Sequence, residues 1–136
     1  MKKLLTLLSA TGIASVITAG SALAQAYPAN VVGTWTIVAN NTQQFTFTVQ
    51  NQSSDSPCAV ITGVIAGADA LAGYYCPSTG AVSFLRNSGS NGATFQVYTG
   101  QLSWAGSQSL MAGNFSNYAG GDNTGAFAFS AQYPGN

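Results

Sequence analysis

Beyond residue 24, very few side chains are able to do chemistry. They are Arg86, the aspartates Asp55, Asp69 and Asp122, and the cysteines Cys58 and Cys76; the whole chain lacks His and Glu, and both lysines, Lys2 and Lys3, sit at its start. General acid–base catalysis near neutral pH draws on His, Lys or a carboxylate with a displaced pKa. A Ser or Thr nucleophile would lack its customary base. Zinc needs Cys, His or carboxylates in groups, and no glycine-rich phosphate loop here runs into a Lys. Paired carboxylates hydrolyse glycosides in some enzymes, but each Asp falls in or beside a predicted turn, where its side chain serves the local backbone. Gly120-Gly121-Asp122-Asn123 resembles a calcium loop with too few carboxylates. The inventory points to a protein that is not an enzyme and needs no metal or cofactor.

The two cysteines have a simpler role. With Ala66-Gly67-Ala68 as a three-residue turn, Ile65 faces Asp69, and counting outward brings Cys58 opposite Cys76. Two cysteines in an exported chain are expected to pair. A redox couple would call for a Cys-x-x-Cys spacing or a neighbouring cation, so a structural disulfide is expected.

Export itself is read from the first residues. Met1-Lys2-Lys3 is basic, residues 4–19 are uncharged and mostly apolar, and Ser21-Ala22-Leu23-Ala24 precedes Gln25. Small residues at 22 and 24 fit a signal-peptide cleavage site; cutting after Ala26 is the competing possibility. Residues 1–24 are thus expected to be a signal peptide and 25–136 a single domain, periplasmic or secreted. One Arg against three Asp leaves that domain two charges negative. Nucleic-acid binding draws its affinity from cations that neutralise phosphates, and docking on anionic lipid needs them too. Neither partner is expected.

The elements that position these residues are strands. The domain carries short runs rich in Thr, Val, Ile and aromatics, broken by Gly, Asn, Ser and Pro. Eight runs are predicted: 32–39, 43–50, 58–65, 69–76, 81–87, 94–104, 109–118 and 126–133. The connections are too short for parallel crossovers, which leaves an antiparallel up-and-down meander. Trp35, Ile37 and Ala39 share one face of the first run; Phe45, Phe47 and Val49 share one face of the second. Pairing Trp35 with Phe47 and Ile37 with Phe45 needs an odd loop, which Asn40-Asn41-Thr42 supplies. An eight-stranded all-β sheet with one aromatic face closes into a barrel or folds into a sandwich. The scarcity of charges to guard exposed edges favours the barrel.

Gly33-Thr34-Trp35 at the head of the first strand resembles the Gly-x-Trp opening of calycins, the lipocalin and avidin superfamily. The later Tyr98-Thr99-Gly100, Leu110-Met111-Ala112-Gly113 and Gly125-Ala126-Phe127 are similar in spacing to small exported bacterial barrels of that shape. The resemblance implies a closed barrel with Trp35 packing one end. It departs where lipocalins carry a basic residue on the last strand, since residues 126–133 hold none. The polar biotin contacts of avidins are not reproduced by Thr36-Ile37-Val38, so biotin is not implied.

An eight-stranded barrel just holds its side chains or one small ligand. The leading functional expectation is therefore a small apolar or aromatic ligand inside the barrel, lined by Trp35, Phe45, Phe47, Phe115, Phe127 and Phe129. The alternative is a surface-matrix or protein-interaction domain such as a periplasmic protease inhibitor, with Tyr27-Pro28-Ala29-Asn30 as a free inhibitory arm. Membrane insertion is not expected, because several runs are shorter than the roughly 9–11 residues of a membrane strand.

Overall fold

The computed structural model describes residues 27–89 and 92–133. The signal-peptide expectation lies outside these residues. Eight strands run in chain order: β1 (Gly33–Ala39), β2 (Gln43–Gln52), β3 (Ala59–Ile65), β4 (Asp69–Cys76), β5 (Ala81–Asn87), β6 (Thr94–Ala105), β7 (Gln108–Ala119) and β8 (Asp122–Tyr133). Each pairs antiparallel with the next, and β1 pairs with β8, so the sheet is a closed barrel. The seam runs over Thr36–Gln132, Ile37–Ala131, Val38–Ser130 and Ala39–Phe129.

The first hairpin has the expected register, Trp35 opposite Phe47 and Ile37 opposite Phe45. Asn40 and Asn41 take φ of 50° and 57°, a conformation Asn tolerates because its short side chain bonds locally. Ile65 faces Asp69 as counted, and Cys58 is bonded to Cys76 with Cα atoms 4.0 Å apart. Such bonds form and persist in oxidising compartments.

Two elements differ from expectation. Residues 119–125 were expected to form a broad break, yet β8 begins at Asp122 and the turn is the pair Gly120-Gly121. Their φ values of 60° and 94° suit the tight turns that match strand twist. Asp122 and Asn123 pair with Ala119 and Tyr118 despite their polar composition, and Thr124 is the extra residue of a bulge opposite Asn117 and Tyr118. The second difference is the segment Tyr27-Pro28-Ala29-Asn30, which is not a free arm. Tyr75 Oη donates to the Pro28 carbonyl, Gln52 Nε2 donates to the Ala29 carbonyl at 2.9 Å, and Trp35 Nε1 donates to the Val31 carbonyl at 3.0 Å. The segment stoppers one end of the barrel.

Inside, alternate residues of every strand meet. The rings of Trp35, Phe47, Phe84, Tyr98, Phe115 and Phe127 form a continuous run of neighbours, with successive centroids 5.7, 5.5, 4.6, 4.9 and 5.4 Å apart. Tyr133 joins at the Trp35 end, 5.3 Å away and tilted by 48°. Phe129 meets Tyr98 edge-on at 5.2 Å. Aromatic contacts of these kinds contribute about 0.5–1.5 kcal/mol each beyond the area they bury. The column runs from the stoppered end to the opposite mouth.

Candidate functional site

The mouth opposite the stopper is where the hairpin turns β1–β2, β3–β4, β5–β6 and β7–β8 gather, and polar side chains point inward there. Alternation puts Arg86 on the same face as Phe84, Gln96 with Tyr98, and Asn117 with Phe115. The register sets Arg86 opposite Gln96 and Gln96 opposite Asn117. The result is a linked network. Arg86 Nε donates to Asp69 Oδ2 at 2.7 Å, and Nη2 forms an ion pair with the same oxygen at 2.7 Å. Arg86 Nη1 donates to Gln96 Oε1 at 3.1 Å, and Tyr98 Oη donates to the same oxygen at 2.7 Å. Gln96 Nε2 then donates to Asn117 Oδ1 at 2.7 Å.

Arg86 also lies over the Phe45 ring, 5.3 Å from its centroid. A guanidinium over an aromatic face is attracted by the ring quadrupole. Burial raises the Tyr98 hydroxyl above its ordinary value, and the Arg86 hydrogen bond and charge oppose that rise. Asp69 was expected to serve its turn; its carboxylate instead bonds Arg86 on the neighbouring strand β5. Asp55 and Asp122 stay beside turns on the exterior.

Beside this network an open pocket of about 120 Å³ is lined by Asn40, Gln43, Gln96, Phe115, Asn117 and Phe127. None of these residues is charged. Since Asn117 Oδ1 already accepts from Gln96, its amide N–H groups are what it has left to offer a ligand acceptor.

The six expected lining residues are divided by the fold. Phe115 and Phe127 border this pocket. Trp35 borders a different one at the stoppered end. Phe47 and Phe129 lie within the column, 1% and 4% exposed, where they touch other rings. Phe45 sits under Arg86. Sequence reasoning missed Arg86, Gln96 and Asn117 as inward-facing groups. The signal was present in the alternation with Phe84, Tyr98 and Phe115.

The sequence matches no protein-family model, and no curated protein matches it.

Proposed function

We propose that this chain is an exported, non-enzymatic binding domain that takes a small uncharged ligand, apolar or aromatic in its body, at the Phe115–Phe127 mouth. The observation that carries the reading is the end of the aromatic column. Phe115 and Phe127 are its last rings, and beyond them lies an open pocket rimmed by neutral amides. Its size suits a group of about one ring, since a cavity of about 150 Å³ holds benzene. Ligand sites of this kind combine apolar walls with a few placed polar groups. The amide donors of Asn117 suit a carbonyl, ether or hydroxyl oxygen on the ligand.

The resemblance to calycins supports the same reading, as does the poverty of catalytic groups. The one cation after residue 24 is engaged by Asp69 and is poorly placed to hold phosphate. Export is supported by the signal-like residues 1–24 and by the Cys58–Cys76 bond.

The test is saturation-transfer NMR and native mass spectrometry of the exported protein against uncharged single-ring compounds, with Phe127→Ala in parallel. Binding weakened at least tenfold by Phe127→Ala is expected. Binding that ignores this substitution, or a screen in which no ring compound binds, would overturn the proposal.

A second reading, a protein-interaction or surface-matrix domain, is favoured by the outer wall. Val60 and Tyr74 face each other across β3 and β4, and Leu85 lies on β5, all exposed. Capture of a defined exported partner, lost on Tyr74→Ser, would favour it over the ligand reading.

A further inference from the structure

The stoppered end holds a second pocket whose chemistry differs from that of the open mouth. Three strands present one inward row there: Trp104 on β6 faces Ser109 on β7, which faces Tyr133 on β8. Trp35 closes the row by tilting against Tyr133 at 5.3 Å. Together with Asn30 and Ser107, these residues line a pocket of about 180 Å³, and none of its lining residues carries a charge. The aromatic walls are not all consumed by packing. Trp104 is 48% exposed, whereas Trp35 is 1% exposed.

The site is built before any ligand arrives. Trp35 is pinned through its Nε1 to the Val31 carbonyl at 3.0 Å, and the Tyr133 ring lies against Gly33. Asn30 Oδ1 accepts from the Val32 N–H at 2.8 Å, which holds that side chain beside the pocket it lines. Preorganised walls of this kind lower the ordering cost of binding.

Size and charge restrict the occupant to one neutral ring. The polar groups decide what sort of ring. Ser109 is the one buried polar residue among those described, and its cross-strand partners on both sides, Trp104 and Tyr133, are aromatic. A plain hydrocarbon ring would cover the buried Ser109 hydroxyl without replacing its water, at a cost of about 1–3 kcal/mol for a group left without a partner, while Ser107 and Asn30 stand exposed at the rim. A ring with an apolar C–H face and hydroxyls on its edge meets both demands. The face stacks on the indole of Trp104 and the edge bonds the serines and the amide.

We propose that the pocket lined by Trp104, Tyr133, Trp35, Ser109, Ser107 and Asn30 binds a neutral pyranose sugar. This site lies at the opposite end of the barrel from the Phe115–Phe127 mouth and stands independently of it.

Both tryptophans of the chain border this pocket, so their indole N–H signals in NMR report on it directly. The probes are the methyl glycosides of glucose, galactose and N-acetylglucosamine, with toluene and p-cresol as unsugared rings. At least one glycoside should shift the Trp104 and Trp35 indole signals with a millimolar Kd, and Trp104→Ala should abolish that response. Trp104 is half-exposed, so this variant keeps its fold, which its remaining amide spectrum verifies. Ser109→Ala should weaken the response about fivefold, the equivalent of one neutral hydrogen bond. Phe127→Ala should leave it unaltered, which separates this site from the open mouth. Three results would each overturn the proposal: no indole response to any of the three glycosides, whether or not toluene or p-cresol saturates the site, a glycoside response that survives Trp104→Ala, or one that is lost on Phe127→Ala.

Discussion

Replacing Arg86 with Met tests whether the open mouth is held by its ion pair or only by its packing. Met keeps an unbranched stem over Phe45 and removes the guanidinium. Asp69 then loses both 2.7 Å contacts, and Gln96 loses one donor. The side chains of Arg86 and Asp69 are 18% and 28% exposed, so the pair lies between two known limits. Breaking a fully buried pair from one side costs about 3–5 kcal/mol, and an exposed pair is worth about 0–1 kcal/mol. Partial rehydration of Asp69 places Arg86→Met at about 2 kcal/mol. Asp69→Asn should cost about 1–1.5 kcal/mol, since Arg86 keeps Gln96 and the Phe45 face. Once either partner is gone the other has little left to lose, so the double variant should cost about 2 kcal/mol. The coupling energy is then about 1–1.5 kcal/mol. The assay is urea unfolding of the wild type and the three variants, followed by near-ultraviolet circular dichroism. A coupling below about 0.5 kcal/mol, the range found for independent sites, would refute the reasoning and leave Arg86 and Asp69 as two side chains that act separately.

Replacing Cys58 and Cys76 together by Ala should lower stability by about 3 kcal/mol, as expected for a loop of this span, and leave the fold intact. Chemical denaturation with a matching amide spectrum checks both halves; two free thiols in the native protein would contradict the bond itself. Tyr75 carries a pH signature, because burial, and then nearby Tyr27, pushes its hydroxyl up to about 12 from 10.0. The unfolded chain gives up that proton first, so stability holds below pH 10 and falls by up to roughly 2 kcal/mol as pH climbs from 10 to 12. The rise at Tyr98 acts in the same direction. Urea midpoints should therefore drop between about pH 8 and about pH 11, and much less so in Tyr75→Phe. Gly73→Ala should destabilise by at least about 2 kcal/mol, since the added carbon would fall against the Ser83 carbonyl and 2.5 Å from Phe84 Cα. Thermal melting reads the loss.

Alternation and turn chemistry carried the fold a long way. The Asn40-Asn41-Thr42 loop fixed Trp35 against Phe47, and counting from Ile65 and Asp69 brought the cysteines together, because side-chain period and loop parity are local properties. Gly120-Gly121 was harder to read. Its polar neighbours Asp122, Asn123 and Thr124 resemble a loop in composition, and only pairing with β7 makes them a strand. The site was legible in part. Period two says that Phe47, Phe115, Phe127 and Phe129 point inward. It does not say how far along the barrel axis each lies, and that depth separates Phe127 at the mouth from Phe47 and Phe129 in the column. Arg86 was counted as a charge rather than placed, since a lone cation at an inward position makes sense only once Asp69, Gln96 and Phe45 are known to surround it.

Spatial order in this barrel equals chain order, and the seam between β1 and β8 is its single long-range strand pairing. That seam is four residue pairs, against twelve between β6 and β7. Seven of the eight strand pairings close by short turns; the eighth must bring together segments some ninety residues apart, at an entropic cost of roughly 4 kcal/mol plus a constant. Hairpin assembly can therefore run ahead as an open curved strip, with the Thr36–Ala39 seam the last pairing to form and the first to part. A circular permutant that links the two ends of the chain turns the seam into one more local hairpin and moves the slow closure to whichever turn is opened. The opening site, rather than the sequence, then decides which wall of the barrel is the weakest.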